Sequence, residues 1–265
     1  MPRCRKPRSR CSRDWRLDFP LKHYLQLNGQ ILYWLLVAPW KKQPFKPSQI
    51  FRQMTRIGVD ALPMVALTAF SIGLTLAMQG AHELQRMGAA MYVPNLVSVS
   101  LLRELGPLLI AIIVIGRSGS AITAELGTMK FSEEIEALGV MAINPIRFLI
   151  VPRFVAMMIM LPVLTVFGNY IGIVGGWTIC HFALDMNTSA YVLRAIEAAK
   201  IGDLYSGLTK SAVFAWLVVT IACHAGLKVE GGAEGVGLAT TQSVVYSLLA
   251  VLIANAVLTG FFFFL

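Results

Sequence analysis

The chain has 265 residues, of which 56% are hydrophobic and only 14% are charged. A soluble domain of this length carries about 25% charged residues, so the composition excludes an ordinary soluble protein and places most of the chain in lipid. Residues 1–56 hold 13 Lys or Arg and 2 Asp or Glu, and so carry most of the net charge of +9. Such a basic start can bind nucleic acid, but in an apolar chain it indicates a cytoplasmic N-terminus attracted to anionic lipid.

The first part of the chain is predicted to lie outside the bilayer core. Residues 1–20 are rich in Arg, Ser and Pro, which predicts a disordered basic tail. Residues 23–40 are apolar but diluted by polar residues, and they carry aromatic types enriched at membrane interfaces. We therefore interpret residues 21–57 as an interfacial helix and a basic elbow helix that leads into the first span.

Five apolar runs follow, each able to supply the roughly 20 residues that cross a bilayer. They predict membrane spans at about 60–82, 95–117, 152–180, 206–227 and 241–264. The expected fold is thus an all-α integral membrane protein with five transmembrane helices. If the N-terminus is inside, the alternation of spans places Arg117–Arg153 in the cytoplasm. The 186–203 loop and Leu265 then lie outside, and we expect this loop to contain a short helix. Glycines at positions 168, 172 and 176, together with Gly73 and Gly80, predict close helix packing.

The second span contains an adjacent charged pair, Arg103 and Glu104. A charge at mid-bilayer costs at least about 2.5–3.5 kcal/mol on insertion scales, so such residues usually face a cavity or a partner. Neighbouring helix residues point about 100° apart, so we expect the two to have different partners. The alternative is a place at the outer interface, because Arg103 lies only about 12 Å into the span.

A polar turn is expected at Arg117–Ser120, followed by a charged segment, Glu125–Gly139. Four glutamates in this segment could perform acid–base chemistry or bind a metal. Because they lie outside the apolar runs and near basic residues, a solvated face that docks a partner is the favoured interpretation: Glu125, Glu133, Glu134 and Glu136.

Two other function classes stay open from the residues alone. Gly116–Gly119 matches the GxSG pattern of intramembrane serine proteases, in which Ser118 would be the nucleophile and His224 the base. A stand-alone channel or secondary transporter would instead use Arg103 and Glu104. A metal site is not expected, because the histidines near span ends fall on opposite sides and the two tail cysteines lack the usual ligand pairs: His82, His181, His224, Cys4 and Cys11.

Several short motifs occur in one order along the chain: LRELGP from Leu102, GRSGSA from Gly116, TAELGTM from Thr123, EIEAL from Glu134, Asn144-Pro145 and Val151-Pro-Arg153. Together with Gly235-Val-Gly237 and Thr240-Thr241, they closely resemble the MlaE/YrbE family of permeases, the membrane subunits of Mce-associated ABC lipid transporters. The resemblance covers Pro47–Leu265, and residues 58–265 would form the five-span permease domain.

The resemblance implies a homodimer in the bacterial inner membrane, with the N-terminus cytoplasmic and the C-terminus periplasmic. Cytoplasmic ABC ATPase subunits, which can carry a small regulatory subunit, would bind ATP and Mg, so this chain would need no cofactor and would be no enzyme. A periplasmic Mce-domain hexamer would receive phospholipid or a related lipid and pass it toward the outer membrane, where such transport maintains lipid asymmetry. No nucleic acid is implied as a partner.

The resemblance also implies two sets of site residues. A lipid pocket at the dimer interface, between spans one and two, would use Arg103, Glu104, Leu76, Gln79, Gly80 and Leu105. A cytoplasmic coupling helix within about residues 121–147 would dock in the ATPase through Glu125, Lys130, Glu133, Glu134, Glu136 and Gly139. The chain departs from the family at Asn255, where members often have an acidic residue in the last span, and in its Arg- and Cys-containing tail.

Overall fold

The computed structural model of the chain describes residues 21–37 and 47–264, and nearly all of them are helical. Five helical segments are long and apolar enough to cross a membrane: Ser48–Arg86, Ala90–Phe131, Ile146–Ala183, Ile201–Leu227 and Gly232–Phe262. They confirm the five predicted spans and the all-α class, since no strand occurs in the part of the chain that the structure describes. Each segment begins before the apolar run that predicted it. The basic tail, residues 1–20, lies outside the described residues.

The α-helices in chain order are α1 (Leu21–Val37), α2 (Pro47–Ile57), α3 (Leu62–Arg86), α4 (Val93–Ser100), α5 (Gly106–Val114) and α6 (Ser120–Phe131). They continue with α7 (Glu134–Val140), α8 (Val151–Ala183), α9 (Thr188–Ala198), α10 (Ile201–Leu227) and α11 (Gly232–Phe264). Three π-helical turns interrupt the spans, at Leu101–Leu105, Ile115–Gly119 and Ile146–Ile150. We call the end of the bundle where α7 lies the α7 end, and the end where α9 lies the α9 end. The helix α9 confirms the short helix expected between residues 186 and 203.

The polar turn expected at Arg117–Ser120 is wrong, because the chain stays helical there and runs on to Phe131. The serine hydroxyls in this stretch are satisfied by nearby backbone carbonyls. Ser118 Oγ donates to the carbonyl of Ile57 at 3.2 Å, and Ser120 Oγ donates to the carbonyl of Gly116 one turn earlier. Serines bonded in this way do not need to leave the helix.

The chain reverses direction at both sides of α7 through residues with positive φ, Glu133 (58°) and Ala142 (56°). The connection into α11 also turns through positive φ, at Gly231 (90°) and Gly232 (79°), a conformation that glycine adopts without steric cost. The glycine-rich segment at residues 231–237 therefore forms a turn only at its start, and the rest of it is the first turn of α11.

Helices α3 and α8 pack closely along glycines, as the spacing predicted. A Cβ atom at Gly73 would lie far inside 3.0 Å of the carbonyl oxygen of Gly172, and one at Gly168 would overlap Ile110. At Gly176 a Cβ would meet the hydroxyl of Tyr191 and the side chain of Val97. These glycines let α8 approach the backbone of α3 and leave room for side chains of α4, α5 and α9.

Helix α1 is held against the bundle by side chains of α10. Trp216 Nε1 donates to Asn28 Oδ1 at 3.0 Å, and the Tyr24 hydroxyl lies 2.8 Å from Thr220 Oγ1. On the opposite face Leu25, Leu32 and Tyr33 are exposed, while Leu27 and Ile31 are buried. An amphipathic helix of this kind suits a membrane surface, and that location stays a prediction.

Candidate functional site

Arg103 and Glu104 each form an ion pair with α10. Arg103 Nε donates to Asp203 Oδ1 at 2.5 Å, and Lys210 Nζ donates to Glu104 Oε1 at 2.5 Å. The two adjacent residues therefore have different partners, as their angular separation predicted. We call these four side chains the charged quartet.

The register of α10 brings the quartet together. Asp203 and Lys210 are seven residues apart, which is close to two full turns, so both side chains lie on one face of α10. Midway between them, a Cβ at Gly207 would lie far inside 3.0 Å of the carbonyl oxygen of Leu102. Lys210 Nζ also donates to the carbonyl of Arg103 at 3.2 Å, within the π-helical turn. The close contact at Gly207 therefore sets the distances of both ion pairs.

Helix α11 adds two uncharged partners to Glu104. Thr259 Oγ1 lies 3.0 Å from Glu104 Oε1 and 2.8 Å from Lys210 Nζ. Asn255 Nδ2 donates to Glu104 Oε2 at 3.3 Å. An amide donates to the carboxylate at this position, whereas a second carboxylate would face Glu104 with the same charge.

Each ion pair has one buried and one more accessible member. The side chains of Lys210 and Asp203 are 2% and 5% exposed, whereas those of Glu104 and Arg103 are 35% and 55% exposed. An open cavity of about 360 Å³ borders the quartet and is also lined by Lys200, Gly202, Ser206, Thr259 and Phe262. Arg103 uses Nε for Asp203, so its other N–H groups are available to an anion in this cavity.

The other residues predicted to bind lipid do not line this cavity. Gly80 packs on Leu96 of α4, and Leu76 and Leu105 pack against a common apolar cluster. Gln79 is exposed on α3. Within one chain, the six residues predicted to bind lipid therefore form two groups: Arg103 and Glu104 at the cavity, and the other four away from it. A shared role of the six in lipid binding stays a prediction.

The predicted coupling residues also separate into groups. Glu125 Oε2 lies 2.9 Å from Arg56 of α2 and 3.2 Å from Arg153 of α8, so this carboxylate joins helices of the bundle. Lys130 and Glu136 pair at 2.7 Å on the surface. The hydrogen bond and the charge of Lys130 lower the pKa of Glu136 below its usual value.

Helix α7 and its flanks form an exposed face at the α7 end. Glu133, Glu134 and Gly139 are exposed, and so are large apolar side chains close by: Phe131, Val140, Met141 and Ile143. Only Ile135 of α7 is buried. A short helix with exposed acidic and apolar groups is typical of a surface that another protein covers.

The serine hydrolase alternative receives no support from the geometry. The buried Ser118 hydroxyl donates to the Ile57 carbonyl rather than to an imidazole. The His224 ring packs edge-on against Tyr24, with ring centroids 5.9 Å apart. Within residues 21–37 and 47–264, no group of three His, Cys, Asp or Glu residues could hold a metal ion.

The sequence interpretation missed Asp203 and Lys210 as site residues. Lys210 lies inside the predicted span 206–227, and its charge is opposite to that of Glu104. A lone lysine in an apolar span is itself a signal for a buried partner.

Comparison with known proteins identifies the family. The family model described as Permease MlaE matches residues 50–261. The chain belongs to the MlaE permease family. Its relatives include a probable ABC transporter permease protein of Rickettsia prowazekii, 40% identical over 222 residues, which are 84% of this chain and 86% of the relative. Another, from Synechocystis sp., is 37% identical over 237 residues, which are 89% and 88% of the two chains.

A plant relative is the chloroplastic Protein TRIGALACTOSYLDIACYLGLYCEROL 1 of Arabidopsis thaliana. It is 35% identical over 212 residues, which are 80% of this chain and 61% of that protein. Together these matches confirm the resemblance noted in the sequence motifs. The chain is an ABC transporter permease of the MlaE family and a multi-pass membrane protein, and this class of subunit associates with an ATPase.

Proposed function

We propose that this MlaE permease moves phospholipid or a related lipid between the inner membrane and an Mce-protein tunnel that leads to the outer membrane. The observation that carries the proposal is the open cavity at the charged quartet. Arg103 is half exposed there and can bind a phosphate through its free N–H groups. The name of the Arabidopsis relative contains that of a glycerolipid, which supports a lipid as the cargo.

A homodimer fits the uneven burial of the spans. The spans made by α3 and α11 are far less buried within the chain than those made by α8 and α10. We place the second copy against the exposed sides of α3 and α11. The same interface would then be lined by α3, with Leu76 and Gln79, from one copy. The quartet cavity beside α11 would face it from the other copy.

Coupling to the ATPase would pass through the long helical segment Ala90–Phe131. This segment contains the π-helical turn with Arg103 and Glu104 and ends beside the exposed face around α7. A helix transmits displacement along its axis, so motion imposed at α7 would reach the quartet. We propose that a cytoplasmic ATPase docks at the α7 end, with the N-terminus on the same side, and that a periplasmic Mce hexamer docks at the α9 end.

The chain itself would hydrolyse nothing in this scheme. ATP and Mg would bind the partner subunits, and closure of those subunits would expel the acyl chains from between the two permease copies. Apolar side chains of α3 and α11 would contact the acyl chains, and Arg103 would hold the headgroup phosphate.

The experiment that tests the proposal is purification of the chain from its native membrane in mild detergent, followed by mass spectrometry of proteins and lipids. We expect an ABC ATPase, an Mce-domain protein and phospholipid. The variant Arg103→Gln should retain the ATPase and carry less bound phospholipid than the wild type. Arg86→Gln, at an exposed position of α3, is the matched control and should match the wild type. A chain that emerges without an ATPase would refute the proposal.

A further inference from the structure

A second basic site lies at the α7 end, away from the charged quartet. A crevice of about 190 Å³ separates α2 from the end of α6 and the start of α8. Its charged lining residues are Arg52, Arg56, Arg153 and Glu125. Three arginines against one glutamate leave a net charge of +2, and we call this crevice the arginine crevice.

One polar stripe of α2 faces the arginine crevice. The lining residues of this helix are Gln49, Arg52, Gln53 and Arg56, spaced at i, i+3, i+4 and i+7. This spacing places all four on one side of a helix. The stripe therefore forms one wall of the crevice, and Glu125 is the single carboxylate in the lining.

Arg153 is buried without full satisfaction of its guanidinium. The residue is 2% exposed. It donates to the carbonyl of Leu149 at 3.1 Å and pairs with Glu125 at 3.2 Å, but its Nε has no hydrogen-bond partner among the described residues. A buried donor without an acceptor is costly, so an additional acceptor at Arg153 would be favourable.

The excess of positive charge is confined to the arginine crevice and does not extend to the crevice beside it. Arg56 shares Glu125 with Arg153, and Arg52 has no ion-pair partner in the described ranges. The neighbouring crevice is lined by Arg56, Arg117, Asp60 and Glu125, so its charges cancel. An anion would therefore bind beside Arg52 and Arg153 rather than beside Arg117.

The remaining wall of the arginine crevice is largely apolar: Met129, Phe148, Leu149 and Pro152. Arg153 is the third residue of α8, so the crevice lies where the third span begins. The ligand that would fit this crevice is anionic on one side and apolar on the other, and it lies at the level where a span ends. The phosphate and glycerol region of a phospholipid matches this description.

We propose that the arginine crevice binds the phosphate of a phospholipid from the membrane leaflet at the α7 end. The guanidinium groups of Arg52, Arg56 and Arg153 surround the phosphate, and Arg forks match phosphate oxygens in geometry and charge. The apolar wall favours a lipid over free phosphate. This site is separate from the quartet cavity, and it holds whether or not the cargo of the transporter is a lipid.

The test uses the purified full-length chain in detergent and three soluble probes: dioctanoyl phosphatidylglycerol, dioctanoylglycerol and inorganic phosphate. Binding is measured by titration calorimetry on the wild type, Arg52→Gln and the double variant Arg52→Gln/Arg56→Gln. We expect the phosphatidylglycerol affinity to fall roughly ten-fold in the double variant, because charge-assisted hydrogen bonds are lost. Arg52 is exposed and forms no ion pair with the described residues, so Arg52→Gln should fold normally and lose affinity in the same direction.

Two controls make the outcome decisive. Arg86→Gln removes an exposed arginine at the α9 end and should leave the affinity unchanged, and Arg103→Gln reports on the quartet instead. Unchanged affinity in the double variant would overturn the proposal, and so would a loss seen only in Arg103→Gln. Equal binding of inorganic phosphate or of dioctanoylglycerol would also overturn it, because the site would then recognise a free ion or an acyl chain.

Discussion

Replacing Gly207 with alanine should separate α10 from the π-helical turn that carries Arg103 and Glu104. The new Cβ would overlap the carbonyl oxygen of Leu102 and would also approach Pro107. The overlap leaves the atoms roughly 1 Å short of van der Waals contact, and a backbone oxygen cannot rotate away as a side chain can. Helix α10 would have to move outward, at a cost of about 1–3 kcal/mol for overpacking.

The same displacement should weaken both ion pairs of the quartet. Each pair is 2.5 Å long and lies one turn from Gly207, so a shift of roughly 1 Å takes both beyond good hydrogen-bond geometry. Thermal unfolding of the purified chain, followed by tryptophan fluorescence, should show a Tm lower by roughly 2–10 °C. Transport-coupled ATP hydrolysis of the assembled transporter should fall with it.

The matched control is Gly202→Ala, on the same helix. A Cβ at Gly202 would meet no atom within 4 Å, so this variant should unfold at the wild-type temperature or slightly above it. If Gly207→Ala were as stable as Gly202→Ala, the close approach at Gly207 would not hold the quartet together, and the reasoning would fail.

Three further predictions concern charges. Lys210→Met should destabilise the chain by about 1–3 kcal/mol, because it leaves Glu104 without its ion-pair partner. Adding Glu104→Gln should recover part of this loss, and strictly additive unfolding free energies would contradict the pairing. Glu134→Lys, on the exposed face of α7, should leave folding unchanged but reduce stimulation of the ATPase by the permease, and unchanged stimulation would argue against docking there. The pKa of Glu136 is lowered by Lys130, so this pair stabilises α7 at neutral pH and loses its effect as pH falls through that pKa. Hydrogen-exchange protection factors in α7, which are corrected for the intrinsic pH dependence of exchange, should fall on acidification in the wild type and much less in Glu136→Gln.

The ion pairs at the arginine crevice indicate a role for Glu125 that differs from the role predicted from sequence. The sequence places this residue with the other glutamates of the coupling segment, as part of a docking face. In the structure it lies between Arg56 and Arg153 and connects α6 to α2 and α8. It therefore joins the segment that carries the predicted coupling residues to the first and third spans, whereas Glu133 and Glu134 are exposed.

The amino-acid sequence by itself determined the spans, the close glycine packing and the family. These properties depend on local composition and on spacing within one helix, because a bilayer requires a minimum length of apolar residues and close packing requires small ones. The charged pair Arg103-Glu104 could also be found from sequence, since charges inside an apolar run are rare. The turn expected at Arg117–Ser120 was wrong because serine hydroxyls can bond to helix carbonyls as well as start a turn.

Only the tertiary structure decided which residues complete the site. Asp203 and Lys210 are about 100 residues away from Arg103 and Glu104, and their pairing depends on the rotation and register of α10. The contact at Gly207 and the π-helical turn set that register, and neither has a signature in one sequence. The same holds for the arginine crevice, where three separate helices bring Arg52, Glu125 and Arg153 together. Long-range electrostatics depends on distances of a few ångströms, which only packing determines.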